Sequence, residues 1–224
     1  MGAVQEPVRR RLSVDERRAL LLELGLRLFG DRGLDDVSVE DIAREAGVSA
    51  GLLYHYFGSK REFHHAVTAY AMERLQSVTR PDPTASPGEQ LVDTLVDYLD
   101  YLHTDTSGWA WLLRGGAGDD QLGAIAEQYR QDIVRDVFAA LPPGSETPLT
   151  RLAVRGWIGS NTEISLHWLQ AGEPELGAVV RLMVAVFLAG LEAAGLDPAT
   201  VPLLRADVDA ALERRLGVAA VSPA

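Results

Sequence analysis

Residues 38–62 read SVEDIAREAGVSAGLLYHYFGSKRE, and the rest of the chain parses outward from them. Ser38, with Asp41 three residues on, opens a short helix in which Val39, Ile42, Ala43 and Ala46 make an apolar side at helical spacing. Gly47 permits a tight turn, because it enters a left-handed conformation without a Cβ clash. Ser49 then caps a second short helix running to about Tyr56. Two short helices joined by a glycine-containing turn of about three residues make a helix-turn-helix, here spanning residues 36–58.

The same punctuation organises the flanks. Upstream, Ser13 and Glu16 form a capping-box pair at the head of a first helix, with Leu20, Leu21, Leu24, Leu28 and Phe29 on one face. That helix stops near residues 30–33, where Gly33 suits a left-handed cap. Downstream, Ser59 and Glu62 form another box, opening a long helix to about Val78. The stretch PDPTASPG at 81–88 is a break and a domain boundary. Helical segments follow near 87–105, 107–114, 119–141, 149–171, 174–195 and 203–216. No alternating strand pattern persists and no internal repeat occurs. The predicted class is all-α, with about nine to ten helices.

Composition narrows the function classes. The chain has 224 residues, 47% hydrophobic and 24% charged, an ordinary balance for a folded protein of one large or two small domains. With no cysteine there is no disulfide framework, thiolate nucleophile or cysteine zinc site. The longest apolar stretch, 177–191, is interrupted by Arg181 and reads as too short for a membrane span. Arg9, Arg10 and Arg11 have no apolar run behind them, so no signal peptide is read and a cytoplasmic location is expected. The net charge of −11 is unevenly placed. The first 80 residues hold 12 basic and 12 acidic groups, leaving 9 and 20 for the remainder. A neutral head on an acidic body suits docking on phosphate by one end, although the same charge would equally serve solubility.

The combination of Ile42-Ala43, Gly47-Val48-Ser49, Leu53-Tyr54-His55-Tyr56-Phe57 and Ser59-Lys60 resembles the signature of the tetracycline-repressor-like (TetR/AcrR) family of transcriptional regulators. The resemblance is strong over residues 13–75. It implies a basic arm at 1–12 and a three-helix DNA-binding domain at 13–58. A connecting helix at 59–80, an effector-binding and dimerisation domain at 81–217 and a tail at 218–224 complete the expected order. It also implies a homodimer on near-palindromic double-stranded DNA, released by a small-molecule effector, with repression as the default.

On that reading Ser49, Ala50, Gly51 and Leu52 lead the recognition helix into the major groove. None of Ala50, Gly51 and Leu52 can make a bidentate base contact, so sequence choice leans on DNA shape, a thymine methyl at Leu52 and close approach at Gly51. Tyr54 and Tyr56 resemble phosphate-binding tyrosines, which bury a ring and present a hydroxyl; they would equally serve to seal a small core. His55 faces outward. Lys60, the chain's single lysine, and Ser38 stand at helix starts, where free N–H groups favour phosphate. Arg9 to Arg11 would reach a minor groove or remain a solvated tail.

The effector pocket implied for the C-terminal part draws its candidates from Tyr98, Tyr101, His103, Trp109, Trp111, Tyr129, Trp157, Asn161, His167 and Trp168, a set suited to a mainly apolar ligand. Asn161 on an apolar stripe needs a partner, either a neighbouring carbonyl or the ligand. The dimer surface is expected from the two helices at 149–171 and 174–195. Its candidates are Gly156 and Ser160 on the first, and Leu176, Val180, Met183, Phe187 and Leu191 on the second; both helices would alternatively complete the monomer core. Nothing points to an enzyme. His64-His65 is not HExxH, GGAG at 115–118 lacks the strand of a phosphate loop, and five scattered histidines make no metal site. No cofactor is expected. The competing reading is a helical protein-interaction adaptor that has lost specific DNA binding, which the plain Ala50-Gly51-Leu52 leaves open.

Overall fold

A computed structural model describes residues 13–32, 36–104 and 119–217. Among them are nine α-helices and no strand: α1 Val14–Arg32, α2 Val39–Glu45, α3 Ala50–Phe57, α4 Lys60–Val78, α5 Pro87–Thr104, α6 Asp120–Ala140, α7 Pro148–Ala171, α8 Leu176–Ala193 and α9 Thr200–Leu216. The expected segment at 107–114, with Trp109 and Trp111, lies outside the described residues, as do Gly33, the basic arm at 1–12 and the tail at 218–224.

The helix starts follow local chemistry. Ser13 accepts from the Glu16 N–H at 3.1 Å while Glu16 accepts from the Ser13 N–H at 2.7 Å. Ser38 and Asp41 close the same reciprocal box at α2. Ser59 caps α4 from the Glu62 N–H at 3.1 Å. The last helix begins at Thr200, three residues earlier than its periodicity suggests. Asp197 accepts from the Ala199 N–H at 3.1 Å, and Pro202 is tolerated because a first turn has no N–H partners to lose.

Two apolar clusters make the interior. The first joins α1, α2, α3 and α4 through Leu21, Leu26, Phe29, Ile42, Leu53, Phe63, Val67 and Leu75. Leu20 is not part of it: at 52% exposed it faces solvent, while Leu22 and Leu26 turn inward. Gly25 lets α1 cross α4 closely, since a Cβ there would sit 2.6 Å from Phe63 Cζ and Val67 Cγ2. The second cluster joins α5 through α9, with α8 at its centre through Val180, Met183, Phe187 and Leu191. With a mean hydropathy of 2.0 over 18 residues, α8 is long and apolar enough to cross a membrane, but here it is the core helix of this bundle. Asp207 of α9 stitches the ends of the body together, accepting from Ser86 Oγ and the Gly88 N–H at 2.6 Å each.

Burial corrects the dimer-face expectation. Val180 and Met183 are fully enclosed, Leu191 is 1% and Phe187 4% exposed, and Leu176 packs against the same cluster. The stripe they form is the monomer's own core. The opposite side of the same helices is open: Leu149, Leu152, Gly156 and Gly159 on α7, and Leu182, Ala185 and Ala189 on α8. Gly156 lies exposed on that side, and Ser160 is half-buried at its edge with its hydroxyl donating to the Trp157 carbonyl at 2.8 Å.

Candidate nucleic-acid interface and effector cavity

The turn between α2 and α3 is built by short-range bonds. Gly47 takes φ +64°, and the Val48 N–H donates to the Ala43 carbonyl at 2.9 Å. Ser49 accepts from the Leu52 N–H at 3.2 Å, which starts α3. Gly58, at φ +73°, ends it, with its N–H on the Tyr54 carbonyl at 2.7 Å. Leu53 and Phe57 point inward, Phe57 lying 4.7 Å from Phe63, ring centre to ring centre, in an edge-on contact.

The outward face of α3 consists of Gly51, Tyr54 and His55, with Ala50 and Leu52 half-exposed beside them. Tyr54 is 45% exposed. Tyr56 is half-buried against the head's core and packs edge-on to His55 at 5.9 Å, ring centre to ring centre. Only Ser49 Oγ, at 3.9 Å, approaches the Cβ direction of Gly51, so a duplex could come close to this backbone. Lys60 is half-exposed at the first residue of α4. A cation there gains nothing from the positive end of the helix dipole, and the two together concentrate potential for an anion. The Ser38 hydroxyl is engaged in the cap of α2, donating to Asp41 Oδ2 at 2.7 Å and accepting from the Asp41 N–H at 3.0 Å.

In the body, a cavity of about 590 Å³ lies among α4, α5, α6 and α7. Four expected residues line it: Tyr98, Tyr129, Trp157 and Asn161. Met72, Leu75 and Gln76 of α4 and its C-cap Thr79, Leu95 of α5, Ile133 of α6 and Phe187 of α8 complete much of the wall, and no sequence signal separated them from ordinary core. Enclosure pushes the Tyr98 hydroxyl up to about 12, partly opposed by a hydrogen bond with Ser165; burial also raises Tyr129, helped by Tyr98 nearby. Both phenols are therefore neutral in ordinary buffer.

The remaining candidates lie elsewhere. Tyr101 lines an outer hollow with Leu20, Arg27 and Arg74, between α1, α4 and α5. His103 is exposed and stacks at 5.5 Å on Trp168, whose indole N–H donates to the Pro174 carbonyl at 2.8 Å. His167 points to solvent. They miss the cavity because it is lined by α5 only as far as Tyr98 and by α7 only as far as Thr162, and these four lie further along the two helices.

Two polar ties hold α4 to α6. Asp119 accepts from Arg61 Nε at 2.9 Å and from His65 Nε2 at 2.8 Å, and Gln76 donates to Asp132 at 3.1 Å. Gln76 and Asp132 also line the cavity. None of these five residues was paired from the sequence, because the partners are more than fifty residues apart.

Comparison with known proteins then settles the lineage. Residues 21–67 match the family model "Bacterial regulatory proteins, tetR family", and residues 87–190 match "Tetracyclin repressor-like, C-terminal domain". The chain belongs to the TetR family. A TetR-family regulator from Streptomyces coelicolor superposes with a TM-score of 0.72 at 27% identity, covering 90% of each chain. The transcriptional activator FasR of Mycolicibacterium smegmatis is 28% identical over 170 residues, 73% of this chain and 77% of its own length. The transcriptional repressor KstR2 of Mycobacterium tuberculosis is 41% identical over 80 residues, 35% of this chain and 40% of its own. This TetR-family member is thus a DNA-binding transcriptional regulator with a helix-turn-helix head.

Proposed function

We propose that this regulator is a homodimeric repressor that grips a near-palindromic operator and is released by a small, mainly apolar effector bound among α4, α5, α6 and α7. The observation carrying this reading is the double duty of α4. Its first turn bears Lys60 and packs on the recognition helix, while its last two turns and C-cap supply Met72, Leu75, Gln76 and Thr79 to the cavity wall. At 1.5 Å per residue its 19 residues form a rod of about 28 Å. A tilt of about 5° at the cavity end moves the DNA end by about 2.5 Å. Paired heads must meet half-sites ~34–36 Å apart, so such a shift is felt twice.

At the duplex, Tyr54 and Lys60 hold phosphate. Gly51, Ala50, Leu52 and His55 face the groove, and Ser49 presents the helix start. Readout leans on shape and backbone approach, since no Arg, Asn or Gln stands on this face. The second copy packs on the open side of α7 and α8. There Gly156, Gly159, Ala185 and Ala189 form a flat strip flanked by Leu149, Leu152 and Leu182, which allows close approach of a second helix pair. The regulator works in the cytoplasm, where its operator is, and we assign it no catalytic role.

The test is linkage. DNA recovered by selection on the pure protein provides the operator, and a metabolite screen on the full chain provides the effector. The effector lowers operator affinity by a factor equal to that by which operator lowers effector affinity, commonly ~1–3 kcal/mol of coupling. An effector without that reciprocity, or one that tightens operator binding, overturns the repressor scheme.

A further inference from the structure

The polar groups around the cavity are almost all engaged within the protein. Thr79 donates to the Leu75 carbonyl at 2.8 Å, Thr162 to the Ile158 carbonyl at 3.2 Å, and the Trp157 indole N–H to the Met183 carbonyl at 2.9 Å. At the rim, Arg135 is paired with Asp132 at 2.6 Å and with Asp136 at 3.3 Å. Asn161 differs. It is 8% exposed, it lines the cavity, and its side-chain carbonyl oxygen is buried with no hydrogen-bond partner.

A buried amide oxygen left without a donor carries its full desolvation cost, so such groups are normally satisfied by protein, water or ligand. The chemistry that satisfies it here is constrained. Trp157, Ile158 and Phe187 stand beside it and are apolar; of the charged lining residues, Asp132, Asp136 and Arg135 are paired with one another, and Arg80, beyond the end of α4, is exposed. Among the described residues, the wall made by Trp157, Ile158, Asn161 and Phe187 holds no ionised side chain to balance a charged ligand group, and burying an unpaired charge is far more costly than burying a hydroxyl.

We infer that Asn161 is the specificity-determining residue of the effector cavity and reads an uncharged hydrogen-bond donor, a hydroxyl or amide N–H, on an otherwise apolar ligand. This rests on the cavity being the effector site. A ligand in the cavity places its apolar body against Leu75, Leu95 and Tyr98, and a turn of the Asn161 amide brings its enclosed oxygen onto the ligand's donor. An analogue with the donor capped leaves the oxygen as unsatisfied as in the empty protein and gains only apolar burial.

The test uses the full chain with two matched probes, 1-decanol and decyl methyl ether, titrated by tryptophan fluorescence and by thermal shift. The alcohol is expected to bind about tenfold more tightly than the ether. In Asn161→Leu, a swap of similar volume, the two probes are expected to bind equally, with the ether at least as tight as in the unmodified chain. Comparison on the unmodified chain alone already decides the point should the variant fold poorly. Equal binding of alcohol and ether to the unmodified chain, or a preference that survives in Asn161→Leu, overturns the inference and leaves the cavity as an apolar effector site. Absence of binding by both probes overturns the cavity reading together with it.

Discussion

Asp119 and His65 are joined by a 2.8 Å hydrogen bond between a carboxylate oxygen and the imidazole Nε2. The carboxylate is the N-cap of α6, accepting from the N–H groups of Gln121 and Leu122, and it also holds Arg61. An ionised Asp only accepts, so His65 carries its proton on Nε2. One side chain therefore starts a body helix and anchors the helix that carries the DNA-binding head.

Acid should loosen this joint. The bonds from His65, then Arg61, hold Asp119 well below the usual carboxylate range. Arg155 and Arg130 hold Glu127 at about 2, and Ser38 holds Asp41 at about 2. Each folded value is depressed, so the stability involved is fully present above the unfolded values near ~4 and is lost as pH falls below them. Melting temperature should be flat from pH 7 to about 5 and fall steeply toward pH 3. Asp119→Asn keeps an N-cap side chain but has no charge to titrate, and its curve should fall less steeply. Parallel curves would show that Asp119 does not contribute.

Gly25→Ala should destabilise the head. The added Cβ would lie 2.6 Å from Phe63 Cζ and Val67 Cγ2, both in fully buried side chains that cannot swing away. Overpacking of this kind costs about 1–3 kcal/mol, against about 1 kcal/mol regained in helix propensity. Denaturant unfolding should register a net loss; an unchanged midpoint would mean α1 slides on α4.

Tyr54→Phe and Lys60→Gln separate the two proposed phosphate contacts. Tyr54 is substantially exposed, so removing its hydroxyl should leave the melting temperature within about 1 °C while weakening operator binding roughly tenfold. Lys60→Gln should lower affinity for all sequences alike and reduce the slope of log affinity against log salt by about 1. An unchanged salt slope would remove Lys60 from the interface.

Gly156→Leu isolates dimerisation from folding. No atom lies within 4 Å of the position a Cβ would take, so the monomer should accept the larger side chain. On the open α7 and α8 face the same change should hold two copies apart, giving a monomer by sedimentation at micromolar concentration and a large loss of operator affinity. A variant that stays dimeric would move the interface off this strip.

The DNA-binding head was legible before any coordinates because its chemistry is local. Ser38 with Asp41, Gly47, and Ser49 with the Leu52 N–H act within four residues, and the apolar spacing of Ile42, Leu53 and Phe57 admits one inward face. The body was legible only as helices. Helix α8 is apolar nearly all round, so periodicity alone does not say whether Met183 or Leu182 faces the core; packing against α5 and α7 decides that, burying the first and leaving the second 51% exposed. The cavity, the Asp119 to His65 joint and the orphaned Asn161 oxygen are likewise properties of helices distant in sequence. Capping and turn energies arise between near neighbours, whereas a void, an open face or an unmet hydrogen bond exists only once several helices have taken their places.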